Sequence, residues 1–487
     1  MRSRTLFEKV EILFLMVVAL GCLVTFLRVA FAVPLPFQLD FGEGPMLGIA
    51  ARVADGQGPY PQPTQVPYII SPYGPIPYYI FAALVKLFGV SFTAPRLFIV
   101  ASGMWCATLI GLLVWHWTGS RAVGSAFGLL FLTRPTLQDW LFIARVDLMG
   151  LAFSLTGLYV FAKSRRWYLS LPFFIAGFFC KFVLVAAPLA CLLYTLSKRE
   201  WTKALRFVVL AAIPSALIFL LLQQGTGGWF IFHAVSASVR HPYSLWDAIR
   251  HFRPELLQDL PLVIPVIALI HLQLRKQSVS LPLFYVCVSF LATLAAVGKL
   301  GANSNYFLEW EAALCLGAGT GYSFLRKRFI RPGTRPAVVF SLLAALTLAN
   351  TRGLQVNEVP KVPWQTVSPS LLDCTRAYEY VKNYRGERIL SENVGALVVG
   401  RKSAIVFEPF LWTRQVRSSG WPDTQVVNLI RSRQIQLIIL DNDVGSLKRD
   451  QKQERWPPSV LDAIEQNYKL VRAFECADSS FAYEPKS

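Results

Sequence analysis

The sequence predicts a mainly α, polytopic membrane protein of about eleven transmembrane helices, followed by a C-terminal soluble α/β domain. Three observations carry this. The chain is 54% hydrophobic and only 16% charged over 487 residues. Apolar segments recur at or near membrane-spanning length up to about residue 350. The formal charge of +19 is concentrated in alternate connections between those segments.

The first segment, Ile12 to Val33, is long enough to cross a bilayer as a helix. It exceeds the core of a signal peptide, and bulky Val33-Pro34-Leu35 follows it where a cleavage site would need small residues, so it is expected to remain as an anchor. Further spans are expected near Pro95 to Trp117, Val123 to Leu141, Leu148 to Ala162, Tyr168 to Cys180, Phe182 to Leu196, Phe207 to Leu222, Leu260 to Leu272, Val279 to Val297, Leu308 to Leu325 and Ala337 to Asn350. Several fall short of the ~20 residues of an upright span, and the Tyr168 to Leu196 pair reads as a shallow hairpin. With this count, eighteen basic and three acidic residues fall on the side of Arg2, Arg4 and Lys9. By the positive-inside rule that side is cytoplasmic. The excess charge therefore orients the protein, and nucleic acid is not implied as a partner. The expected location is the inner (cytoplasmic) membrane of a cell, multi-pass, with the N-terminus cytoplasmic.

The other connections are balanced in charge and include long loops at Pro34 to Ala94 and Gln223 to Asp259. Two units follow, a transmembrane domain over residues 1–351 and an extracytoplasmic domain over 352–487, with Pro360 and Pro363 in the linker. The tail lacks a membrane-length apolar run. It has strand-like segments at Ile435 to Leu440 and Ala404 to Phe407, and helical patterns at Thr424 to Arg433 and Pro458 to Gln466. Six of the eight cysteines lie in apolar spans, where a thiol behaves as a small hydrophobe. Cys374 and Cys476 lie near opposite ends of the tail, and a disulfide between them is expected if the compartment is oxidising. No metal-ligand spacing is present.

Asp40-Phe41-Gly42-Glu43-Gly44 follows the first span and places two carboxylates at the membrane surface. They either solvate the loop or do chemistry. Arg145 and Asp147 open the fourth span, and Lys181 lies at the turn between the fifth and sixth. Arg145 either pairs with Asp147 or binds an anion; Lys181 either snorkels to headgroups or does the same. His233 and His241 occupy the large loop after the seventh span. Asn305 and Glu309, four residues apart at the ninth-to-tenth turn, share a helix face, whereas Glu311 points elsewhere.

These motifs resemble the multi-span GT-C glycosyltransferases, which include protein O-mannosyltransferases and bacterial aminoarabinose transferases. The resemblance rests on the acidic residues after the first span, Ser71-Pro72-Tyr73-Gly74-Pro75-Ile76-Pro77-Tyr78-Tyr79, Ala94-Pro95-Arg96-Leu97, Ala144-Arg145-Val146-Asp147 and Gly177-Phe178-Phe179-Cys180-Lys181. It covers roughly the first 200 residues. It implies a GT-C-like bundle with outer-surface helices, and transfer of a sugar from a polyprenyl phosphate or diphosphate to an acceptor hydroxyl of a glycan, lipid or protein, with inversion. Family members carry an adjacent Asp-Glu pair ahead of an Ala-Arg dipeptide. Here Glu43 takes the position of the catalytic Asp relative to Ala51-Arg52, and Asp40 lies three residues earlier. Glu43 is therefore the expected base, with Asp40 sharing or replacing its role. Arg145, Asp147, Lys181, Tyr73, His241, Asn305 and Glu309 are expected to bind substrate. No cofactor is implied beyond the option of a divalent cation. Two other classes stay open, a lipid-linked sugar flippase or transporter and a non-catalytic membrane scaffold.

Overall fold

A computed structural model describes residues 6–237, 243–275, 279–329, 369–449, 455–475 and 480–486. Helices dominate its first two thirds: α1 Leu6–Ala32, α2 Glu43–Ala54, α3 Pro75–Phe88, α4 Thr93–Thr118, α5 Arg121–Leu132, α6 Pro135–Trp140, α7 Asp147–Lys163, α8 Leu171–Cys180, α9 Ala186–Ser197, α10 Trp201–Gly225, α11 Leu245–Arg275, α12 Leu281–Val297 and α13 Leu308–Phe329. Four described helices are long and apolar enough to span a membrane: Ile12–Ala32 within α1, α4, α10 and α11. Apart from the charged first half of α11, their apolar surface runs all round, because lipid on one side and neighbouring helices on the other both demand it. The protein is polytopic. The eleventh expected span and its linker lie outside the described residues.

Two expectations need correction. The loop expected over Gln223 to Asp259 is much shorter, because α11 already starts at Leu245 and continues through Pro254, Pro261 and Pro265. Its first turns are too polar for a hydropathy reading to include. The expected strand Ala404 to Phe407 is instead an extended segment making isolated bridges, Ile389 to Ala404 and Tyr68 to Val406.

The C-terminal unit holds a four-stranded sheet in the order β1-β2-β4-β3, formed by β1 Ile389–Ser391, β2 Leu437–Leu440, β3 Tyr468–Phe474 and β4 Ser480–Pro485. β1 and β2 are parallel and the other pairings antiparallel. Every residue of β2 is buried, consistent with an apolar strand covered on both faces. Helices Thr424–Arg431 and Pro458–Asn467 cover it with Val426, Ile430, Val460 and Ile464. Cys374 is disulfide-bonded, while its expected partner Cys476 lies outside the described residues.

Loops at one end of the bundle hold this unit. The Tyr68 amide donates to the carbonyl of Ile405 at 2.8 Å and its carbonyl accepts from Phe407 at 2.9 Å. Gln38 accepts from the Gly395 amide at 3.0 Å, and its own amide donates to the Tyr378 hydroxyl at 2.9 Å. Phe232 stacks on Trp421 at 5.3 Å between ring centres. The loop between α1 and α2 is thus tied to this unit through Gln38.

Candidate active site

Glu43 opens α2 and is fully buried. Its Oε1 accepts from Arg96 Nε at 2.9 Å and from the Ala144 amide at 2.7 Å. Its Oε2 accepts from Arg96 Nη2 at 2.7 Å and from the Leu39 amide at 2.6 Å. A carboxylate offers about four lone-pair sites, and all are filled. Arg96 spends its remaining donors on the carbonyls of Ala32, Leu35 and Phe37. The pair ties the end of α1, the start of α2, α4 and the segment before α7 into one corner. Arg96 was visible in the sequence only as part of a motif, without a role.

Asp40 differs. Its Oδ1 accepts from Arg145 Nη1 at 2.5 Å and from the Gly42 amide at 2.9 Å, and no described residue donates to Oδ2. The side chain keeps 19% of its surface exposed. Gly42 is required by this arrangement: a Cβ there would lie 1.7 Å from Arg145 Nη1. Arg145 also donates to the Tyr73 hydroxyl at 2.6 Å. Its Nε is buried without a partner among the described residues.

A second cation lies beside this group. Lys181, just past α8, pairs with Asp147 at the start of α7 and sits 4.0 Å from the centre of the Tyr306 ring. Asn305 donates to the same Asp147 oxygen at 2.9 Å. A cavity here is lined by Asp147, Lys181, Asn305, Tyr306 and Glu309. Glu309 accepts from the Tyr285 hydroxyl at 3.3 Å, whereas Glu311 turns to Arg134 at 3.7 Å. Asp147 and Tyr73 are each electrostatic neighbours of both Arg145 and Lys181, so the two cations belong to one site. Tyr73 is held there because its successor, Gly74, packs its Cα against the Phe179 carbonyl, where a Cβ would come within 1.9 Å.

Of the expected site residues, Asp40, Tyr73, Arg145, Asp147, Lys181, Asn305 and Glu309 gather at this end of the bundle. Glu43 lies behind them in its ion pair. His241 lies outside the described residues. His233 is buried, accepting from the Ser71 amide at 3.1 Å and bonding the Pro61 carbonyl through Nε2 at 2.7 Å. These bonds require the neutral tautomer with Nε2 donating, so His233 staples the loop ahead of Tyr73. Burial pushes its pKa down to about 4. The unfolded chain takes a proton near the ordinary value of 6.5, so stability is lost as pH falls from there towards 4, by about 3 kcal/mol in full. Thermal melts between pH 7 and 5 should show a falling Tm in the wild type and a flatter dependence in His233→Gln; equal slopes would remove this role.

Aspartate and arginine at a loop end and a lysine–aspartate pair beside them lie together at one end of a bundle of apolar helices. A structure comparison places the fold. ArnT from Cupriavidus metallidurans bound to undecaprenyl phosphate superposes with a TM-score of 0.62 at 13% identity, over 97% of each chain. The fold is that of the GT-C glycosyltransferases. An Archaeoglobus fulgidus oligosaccharyltransferase tethered with an acceptor peptide matches with a TM-score of 0.54 at 11% identity, over 97% of this chain and 74% of that one. The archaeal oligosaccharyltransferase AglB from the same organism, in complex with an inhibitory peptide and a dolichol-phosphate, matches at 0.52 and 12% identity, over 95% and 73%. No protein-family model and no curated protein matches the chain. The GT-C likeness extends over nearly the whole chain, well beyond the first 200 residues on which the sequence motifs rest.

Proposed function

We propose that this protein is an inverting glycosyltransferase that moves a sugar from a polyprenyl-phosphate donor to an acceptor hydroxyl at the outer face of the membrane, with Asp40 as the base. The observation that carries the proposal is an accessible aspartate oxygen held beside two shielded cations in a GT-C fold. The acceptor hydroxyl gives its proton to Asp40 Oδ2 while its oxygen attacks the anomeric carbon. The bond from that carbon to the phosphate oxygen breaks, and the lipid phosphate leaves with the electron pair. Arg145 and Lys181 stabilise the charge that develops on it, at a depth where water screens them poorly. Glu43 is assigned a positioning role instead, since it has no lone pair open to accept a proton.

An apolar groove of about 580 Å³ between α3, α8 and α10 fits the polyprenyl chain. Pro75, Ile76, Leu171, Phe179, Leu210 and Pro214 line it, and two of these adjoin Gly74, Pro75 as its successor and Phe179 through its carbonyl. The fold shared with a structure holding undecaprenyl phosphate supports this use.

The donor site is tested by binding of undecaprenyl phosphate to the protein in nanodiscs. Lys181→Met combined with Asp147→Asn removes the cation without stranding a buried partner charge. Its Kd should rise at least tenfold, about 1.4 kcal/mol; an unchanged Kd would overturn the phosphate assignment. Orientation is tested separately with an impermeant thiol reagent on intact cells. Cysteine at Ser432, exposed in the C-terminal unit, should react, and cysteine at Ser197, exposed at the end of α9, should not. The reverse pattern would end the proposed topology.

A further inference from the structure

The C-terminal unit reaches the Asp40 loop with charged side chains that the mechanism above does not use. Arg455 stacks over Phe41 at 4.6 Å and is paired with Asp441. Glu408 is the residue before the helix Pro409–Ser419, yet its side chain makes no capping bond to that helix. Its Oε2 is buried without a hydrogen-bond partner among the described residues, and its charged neighbours there are Arg145, Arg455 and Asp40. Glu408 is positioned rigidly, because the preceding residue, Phe407, donates its amide to the Tyr68 carbonyl, and the loop carrying Tyr68 continues to Tyr73.

Two groups near the Asp40 loop are therefore buried without a hydrogen-bond partner among the described residues, the Nε–H of Arg145 and the Oε2 of Glu408. A buried donor and acceptor left unmade are costly, and ligands commonly satisfy them. One needs an acceptor and the other a donor. A hydroxyl group is both: its oxygen can accept from Nε–H while its hydrogen is donated to the carboxylate. Burial pushes the pKa of Glu408 up to about 8, and a hydroxyl that donates to its carboxylate favours the charged form against that burial.

Building on the transferase reading, we infer that Glu408 is an acceptor-recognition residue that, with Arg145 Nε, binds a second hydroxyl next to the one Asp40 deprotonates. The acceptor is then a polyol, a sugar residue of a glycan, and not the lone hydroxyl of a serine or threonine peptide. This also gives the C-terminal unit a reason to be docked on the loop, since it supplies half of the acceptor site.

The test uses the full chain in nanodiscs with undecaprenyl-phosphate-linked glucose, mannose and arabinose as donors. One acceptor panel consists of oligosaccharides and the other of Ser/Thr peptides. Transfer to oligosaccharides is expected. Glu408→Ala should raise the oligosaccharide KM at least tenfold, with the Kd for undecaprenyl phosphate within twofold of wild type. Glu408→Gln keeps the shape and an accepting oxygen, and should fall between. An acceptor O-methylated beside its reacting hydroxyl should lose at least tenfold in kcat/KM with wild type and almost nothing further with Glu408→Ala. Preference for peptides, an unchanged KM in Glu408→Ala, or full sensitivity to methylation in that variant would each overturn the acceptor assignment alone. Failure of the wild type to bind undecaprenyl phosphate would instead overturn the transferase reading, and this inference with it.

Discussion

Asp40→Asn is expected to lower sugar transfer by about two to four orders of magnitude, the usual contribution of a general base. The substitution keeps the size of the side chain and an oxygen that can still accept from Arg145 and the Gly42 amide, so the loop should stay in place. What is lost is the basic Oδ2. The Kd for undecaprenyl phosphate should hold or tighten, because one negative charge near the two cations has gone. Single-turnover transfer alongside donor binding separates the two effects. Transfer at the wild-type rate would show that Asp40 only positions Arg145, and the base would have to be sought elsewhere.

Much of the fold was legible because lipid imposes a simple rule. Apolar segments must be helical, and loop charge is biased to one side. The helices α4, α7, α8, α9 and α12 lie where hydropathy puts them, to within a few residues. α11 was misjudged because its first turns, Leu245 to Asp259, carry charged residues that a hydropathy reading assigns to a loop. In the tail, β2 was readable as a fully apolar strand. β3 was not, since five of its seven residues carry exposed surface and no alternation marks it.

The site was legible as a set of residues but not as an assignment of roles. Lys181, Asp147, and the Asn305–Glu309 pair come together from three separate stretches, each marked in the sequence by a charge or amide at an apolar boundary. The ordering of Asp40 and Glu43 depended on which acid has both oxygens taken up by hydrogen bonds, Glu43 by Arg96 and two backbone amides. Nothing in the spacing to Ala51-Arg52 reveals that Arg96, more than fifty residues away, reaches back to Glu43. Glu408 carried no signal either. It is one acid among sixteen from Arg352 onward, and only the Tyr68 bridge brings it near Asp40.

Glu43→Gln should act on folding before chemistry. One of its oxygens becomes an amide nitrogen that must face an arginine donor and a backbone N–H, and Arg96 is left buried without its countercharge. Breaking a buried pair by removing one partner costs about 3 to 5 kcal/mol, a large share of the total stability of a typical domain. Arg96→Met should cost a similar amount, because it strands both Glu43 and the carbonyls of Ala32, Leu35 and Phe37. The losses from Glu43→Leu and Arg96→Met should not add when the two are combined, since the ion pair is lost once; the double variant should recover part of the Tm relative to either single variant and remain below wild type, with the Leu39 and Ala144 amides and the Ala32, Leu35 and Phe37 carbonyls unpaired. The readouts are Tm in detergent and transfer per folded molecule. Glu43→Gln should show a lowered Tm, with the surviving folded protein retaining far more transfer than Asp40→Asn. A variant that melts like wild type but has lost turnover would return the base to Glu43.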